Sequence, residues 1–225
     1  MHDFWHSGGY EGDQIHIDWV TIPGAKIQDL QHAWRRDYRH EKRPMDVLVV
    51  AGLNNVRNKS TSKIMERIDE FATTVLAQSE EFHPEAPSTF SFATMFLPPQ
   101  YARFPGDDSL PIKSFDNKLA MMMDLNEKIT QLNNNIFQKT IEVFKSQNGG
   151  VAGEKPKTLG LHKYGMRKLT KKYPNGKVVA VRTHRWEHFR ETEKERMLHL
   201  NDEQRAKAGR AINNFFINQF VPKRL

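Results

Sequence analysis

The stretch Asp46-Val47-Leu48-Val49-Val50-Ala51-Gly52-Leu53-Asn54-Asn55 decides the fold class of this chain. Its apolar part, Val47 to Ala51, is rich in Val and too short for a buried helix, the composition of a strand covered on both faces in a parallel sheet. Gly52 ends the run, so a loop opens at the strand's carboxyl end, the edge at which α/β sheets bind their ligands.

Parallel strands need long crossover connections, and amphipathic helices flank the run on both sides. Upstream, Ile27, Leu30, Ala33, Trp34 and Tyr38 recur at helical spacing across Lys26 to Tyr38. Before them Gln14 to Thr21 alternates, with apolar Ile15, Ile17 and Trp19, and reads as a half-buried strand broken by Pro23-Gly24. Downstream, Thr61 or Ser62 is read as the cap of a helix whose apolar face is Ile64, Ile68, Phe71, Val75 and Leu76. Ser88 to Leu97 is β-rich and closed by Pro98-Pro99. A long helix follows near Ser114 to Ile136, with Leu119, Met122, Leu125, Ile129, Leu132 and Ile136 three or four apart. Thr140 to Phe144 reads as another short strand. The last helix starts at Asn201 or Asp202 as cap and runs to Phe220 through Ala208, Ile212, Phe215 and Phe216. Strands alternating with helices predict one α/β domain over residues 1–225 with a mainly parallel sheet.

A chain of 225 residues with 38% apolar content buries a core without disulfide or metal support. Cys is absent, which excludes disulfides, thiolate zinc sites and cysteine nucleophiles, and fits a reducing compartment, cytoplasmic or nuclear. The amino-terminal Met-His-Asp-Phe-Trp-His-Ser-Gly-Gly has neither the basic start nor the apolar run of an export signal. No apolar stretch approaches the ~20 residues that span a bilayer, so a soluble chain with no membrane partner is expected.

The net charge of +7 is unevenly spread. Lys155 to Arg190 holds 11 Lys and Arg against one acid, Glu187, and the rest of the chain is net negative. Inside this segment two β-capable runs flank Pro174-Asn175-Gly176, which predicts an inserted basic hairpin carrying Arg167, Lys168, Lys171, Lys172, Lys177 and Arg182. Tyr164, Tyr173 and Trp186 are interleaved with the cations, as in grooves for single-stranded nucleic acid. The same composition also suits a solvated hairpin whose charge serves solubility.

Three loops carry candidate chemistry. Gly24 lies after the first strand and Asn54 after the second, a backbone N–H and a side-chain amide that can donate to one oxygen as in an oxyanion hole. His199, in Leu198-His199-Leu200-Asn201 before the last helix, is placed to act as a general base. Each also has a plain structural reading: Gly24 and Gly52 as turn residues, Asn54 as a cap, His199 as a packed loop residue. His184-Arg185-Trp186-Glu187-His188 matches a helical zinc-hydrolase spacing, but Arg182, Arg185 and Arg190 crowd it and no third ligand stands nearby, so no metal or cofactor is expected.

Taken in order, Pro23-Gly24-Ala25-Lys26-Ile27-Gln28-Asp29-Leu30, Gly52-Leu53-Asn54-Asn55 and Leu198-His199-Leu200-Asn201 resemble the second, third and fifth sequence blocks of the SGNH (GDSL-type) hydrolases, from about Gln14 to Phe220. The resemblance implies a three-layer, flavodoxin-like sandwich, with Gly24 and Asn54 as oxyanion-hole donors, His199 as the base that activates a serine, and a small-molecule ester as substrate. It begins after the family's Gly-Asp-Ser nucleophile block, and no Gly-Asp-Ser occurs here. Ser7 is the only serine before Gly24 and follows no β-rich run. Arg196 stands where the family's catalytic Asp lies three residues before the His, Glu195 is one residue further back, and Asn55 replaces the third block's Asp. The expectation is a truncated or degenerate hydrolase fold, inactive as an esterase. The alternative is a nucleic-acid or polyanion-binding module that uses the basic hairpin, of a kind that suits proteins derived from mobile elements.

Overall fold

The computed structural model describes residues 20–40, 46–56, 60–82, 84, 89–96, 113–148, 158–172, 174–184, 188 and 199–219. Helix α1 (Ile27–Asp37) leads to strand β1 (Asp46–Val49), a single turn α2 (Leu53–Val56), and helix α3 (Thr61–Phe82). Strand β2 (Thr89–Phe92) and helix α4 (Lys113–Asn148) follow, then the turn α5 (His162–Gly165), strands β3 (Met166–Lys172) and β4 (Val178–His184), and helix α6 (Asp202–Gln219). The chain is of mixed α/β class. The strand expected over Gln14 to Thr21 falls outside the described residues apart from Val20 and Thr21, which are exposed and join no ladder among those residues.

β1 and β2 pair in parallel, Val47 opposite Phe90 and Val49 opposite Phe92, and Thr94 makes an isolated parallel bridge to Gly160. Alternate residues of a strand face opposite sides of the sheet. Val47, Val49, Phe90 and Phe92 accordingly enter the larger apolar cluster with Ile27, Ile64, Ile68, Met122, Leu125 and Ile129 from α1, α3 and α4. Leu48 and Ala93 enter a second cluster with Leu159, Leu161, Ala208, Ile212 and Phe215, which seats α6. An aromatic chain ties the first cluster together: Trp34 stacks on Tyr38 at 5.0 Å, and Phe71 meets Phe90 edge-on at 5.5 Å.

Several boundaries move from the sequence reading. Ser60 caps α3, its hydroxyl accepting from Lys63 N–H at 3.5 Å, one residue before the expected cap. Thr140 to Phe144 is not a strand but the continuation of α4. The reason is that the buried stripe does not stop at Ile136: Phe137 and Thr140 remain buried, and the Thr140 hydroxyl donates to Ile136 O one turn back at 3.0 Å. Burial along an established helix outweighs the strand preference of a few β-branched residues.

Among the described residues, two Asn side chains of α4 meet the backbone at the end of β2 and just beyond it. Asn133 accepts from Phe92 N–H at 3.0 Å and donates to Phe92 O at 2.9 Å; Asn126 does the same for Met95 at 2.8 and 2.7 Å. Seven residues of helix rise about 10.5 Å and three of strand about 10 Å, so one helix face matches both positions. Asn133 also donates to Thr158 at 3.2 Å, and Thr94 N–H donates to Leu159 O at 3.0 Å, which holds segment 158–161 beside the end of β2.

Candidate functional site

At the carboxyl end of β1 two loops meet. Gly24 sits in a turn closed by Ala25 N–H to Ile22 O at 3.2 Å, with φ of +72° that only glycine adopts freely. Asn54 lies on α2 and its Nδ2 donates to Ala25 O at 3.3 Å, so the two loops expected to form an oxyanion hole are adjacent. Asn55, which the sequence marked only as a departure from a motif, does more of the positioning. Its buried Oδ1 accepts from Ile27 N–H at 3.0 Å, and its Nδ2 donates to Gln28 at 3.0 Å, capping α1 from another loop. Gly52, at φ +111°, lies against Met95 and Ile27.

His199 is not joined to these loops by any hydrogen bond among the described residues. It is half-buried, followed by buried Leu200 and by Asn201, whose Oδ1 accepts from Gln204 N–H at 3.0 Å as the cap of α6. α6 belongs to the apolar cluster opposite the one that holds Ile27 and Met95. Ser7, Glu195 and Arg196 lie outside the described residues. His184 closes strand β4, so the helix that would align it with His188 as paired ligands does not include it. No group of three or more potential metal-ligating side chains occurs among the described residues.

The basic segment folds as expected into an antiparallel hairpin, a sheet separate from β1 and β2. Gly176 takes φ +77° in its turn, and Asn175 Oδ1 accepts from Lys177 N–H at 3.1 Å. The register pairs Lys168 with Arg182, Arg167 with Thr183, Lys171 with Val179 and Lys172 with Val178. Six Lys and Arg and no carboxylate occur between Met166 and His184. Lys168 and Arg182 are thus direct backbone partners in the ladder.

The foot of the hairpin is firmly seated. Met166 is buried in the main core, and a Cβ on Gly165 would strike the Phe96 ring at 2.7 Å. His188 Nδ1 lies 2.6 Å from Tyr164 O; a carbonyl only accepts, so this nitrogen carries a proton. His188 O accepts from Asn201 N–H at 2.7 Å, which ties the chain after β4 to the start of α6. Tyr164 OH donates to Lys207 O at 3.4 Å, and Lys163 Nζ stands 5.4 Å from the Tyr164 ring centre. Burial pushes the Tyr164 phenol above the ordinary tyrosine range, while Arg210 and Lys207 act in the opposite direction.

The sequence reading missed three pairings: Asn126 and Asn133 with β2, Asn55 with α1, and Thr94 Oγ1 with His162 Nδ1 at 2.8 Å. For the first there was a signal, since polar residues interrupting a buried helical stripe must find partners. No family model, curated protein or solved structure matches the chain. Among the described residues no helix is long and apolar enough to cross a membrane.

Proposed function

We propose that this chain binds nucleic acid or another polyanion through the β3–β4 hairpin, carried on an SGNH-hydrolase-like sandwich that does not hydrolyse esters. The observation that carries the reading is the register of Lys168 opposite Arg182 in a ribbon with six cations and no carboxylate. A polyanion lying along that ribbon gains by releasing its own counterions. The ribbon's strands are each 7 residues long, about 23 Å at strand rise, enough to follow a nucleic-acid backbone.

The three-layer arrangement is supported by the two apolar clusters on opposite faces of β1 and β2. Ala93 N–H donates to Val49 O at 2.9 Å, so the β2 side of β1 is used by Val49 and the backbone groups of Leu48 and Val50 face the other edge. A further parallel strand fits there, as in a flavodoxin-like sheet.

The test is binding of a labelled oligonucleotide by anisotropy across a salt series. With six cations engaged on a single strand, log K falls with log salt at a slope of about −4, and Lys168→Gln with Arg182→Gln reduces it to about −3. An unchanged slope and affinity in that variant would sink the proposal.

A second reading, an acyl hydrolase acting on a small ester, is favoured by the contact of Asn54 Nδ2 with Ala25 O, which sets the two oxyanion-hole loops side by side. With no Gly-Asp-Ser in the chain there is no family nucleophile for His199 to activate, and donors alone leave acyl transfer orders of magnitude slower.

A further inference from the structure

Tyr164 stands at the foot of the basic hairpin, two residues before β3 begins at Met166. Its backbone is fixed from three directions: its N–H donates to Leu161 O at 3.1 Å, its carbonyl accepts from His188 at 2.6 Å, and Gly165 beside it is packed on Phe96. The ring is partly buried against the cluster that seats α6, and its hydroxyl reaches Lys207 O. Around it the charge is positive. Lys163 Nζ stands over the ring, 5.4 Å from its centre, on an exposed side chain that an incoming base displaces toward its flanking phosphate. Lys207 and Arg210 are one turn apart on α6 and both exposed. Lys207 is answered by Glu203 at 2.5 Å, whereas among the described residues neither Lys163 nor Arg210 has an ion-pair partner. The Tyr164 hydroxyl meets the α6 backbone at Lys207 O, and Arg210 follows one helical turn later.

We infer that the hairpin foot is a stacking platform for single-stranded nucleic acid, with a base on the Tyr164 ring and flanking phosphates on Lys163 and Arg210. The inference deepens the hairpin proposal and rests on it for the length of the bound strand. A rigid aromatic ring edged by cations holds unpaired bases without regard to their identity. Bases inside a duplex present no free face, so the platform discriminates against duplex even though a β-ribbon alone fits a major groove.

The test uses the whole chain with four probes: labelled oligodeoxythymidine, labelled oligouridine, a blunt DNA duplex and long-chain inorganic polyphosphate. Tyr164→Leu keeps the apolar packing and removes the ring face; it is expected to weaken single-strand binding about 5- to 150-fold while leaving polyphosphate binding and the salt slope unchanged. Tyr164→Phe is expected to bind as the parent does. Tight binding of either oligonucleotide supports the inference, and their order tells whether DNA or RNA is preferred. Equal losses for oligonucleotide and polyphosphate, a Phe variant as weak as the Leu variant, or a duplex bound as tightly as single strands would each overturn it. Should Tyr164→Leu fail to fold, Lys163→Gln with Arg210→Gln alters only exposed side chains and is expected to lower the single-strand salt slope by about 1.4; no change overturns the inference. Failure of the hairpin reading looks different: Lys168→Gln with Arg182→Gln then leaves every probe unaffected while Tyr164→Leu still weakens the oligonucleotides.

Discussion

Replacing Asn133 by Leu tests how the sheet is terminated and how segment 158–161 is held. Asn133 and Phe92 are both buried, and the Asn133 amide satisfies the Phe92 N–H and C=O at 3.0 and 2.9 Å. Leu has similar volume but no polar atoms, so both backbone groups lose their partner inside the core. Each buried unsatisfied group costs about 1–3 kcal/mol. The apolar gain from the Leu side chain, about 1.5–3 kcal/mol on full burial, offsets part of this. The two groups together cost about 2–6 kcal/mol, so the net loss is about 2 kcal/mol at mid-range, and at this chain length Tm falls by about 2–4 °C per kcal/mol. Urea unfolding followed by circular dichroism should show a lower midpoint with an unchanged m-value, since the surface exposed on unfolding is the same. Asn133→Asp should be worse than Leu at neutral pH, because a carboxylate accepts from Phe92 N–H but repels Phe92 O. Its folded-state pKa would lie above the unfolded one, so stability is recovered as pH falls through the folded value. A Leu variant as stable as the parent would refute the reasoning, by showing that the Phe92 backbone has another partner.

Gly52→Ala should destabilise the chain by about 1–2 kcal/mol or more, because φ of +111° is strained for any L side chain; the added Cβ also meets Met95 Sδ at 2.7 Å, which the flexible thioether can relieve. Gly24→Ala tests the same cost without the contact, since nothing lies within 4 Å of its Cβ position. The Tyr164 phenol, raised by burial, should titrate above the ordinary tyrosine range in an ultraviolet absorbance titration, read as the difference between the parent and Tyr164→Phe. Since its folded pKa exceeds the unfolded value of about 10, it contributes stability below that pH which is lost as pH rises through the folded value. A fluorophosphonate probe read by intact mass should leave the folded chain unlabelled, and labelling confined to the native protein would restore the hydrolase reading.

The sequence alone determined the elements whose signal is local. The strand from Asp46, expected to reach Ala51 and ending at Val49, the helical stripes of Ile27 to Tyr38 and Ile64 to Val75, the Asn201 cap, and the hairpin around Pro174-Asn175-Gly176 were legible, because each depends on side-chain period or turn chemistry within a few residues. The Gly24 and Asn54 loops, which the reading set together, touch through Asn54 Nδ2 and Ala25 O. Thr140 to Phe144 misled the reading because its β-branched residues look like a strand in isolation, and only the continuation of α4, with Thr140 still buried, shows the segment to be helix. The cross-strand register of Lys168 and Arg182 depends on where the ladder begins, and a slip of one residue would have moved every cation to the other face. The hydrogen bond from Tyr164 to Lys207 O, the Asn133 latch on β2 and the Asn55 cap of α1 join residues far apart in the chain. Tertiary packing alone decides them, because a buried polar group takes whichever partner the folded core brings within reach, and nothing in the residues on either side of it says which that will be.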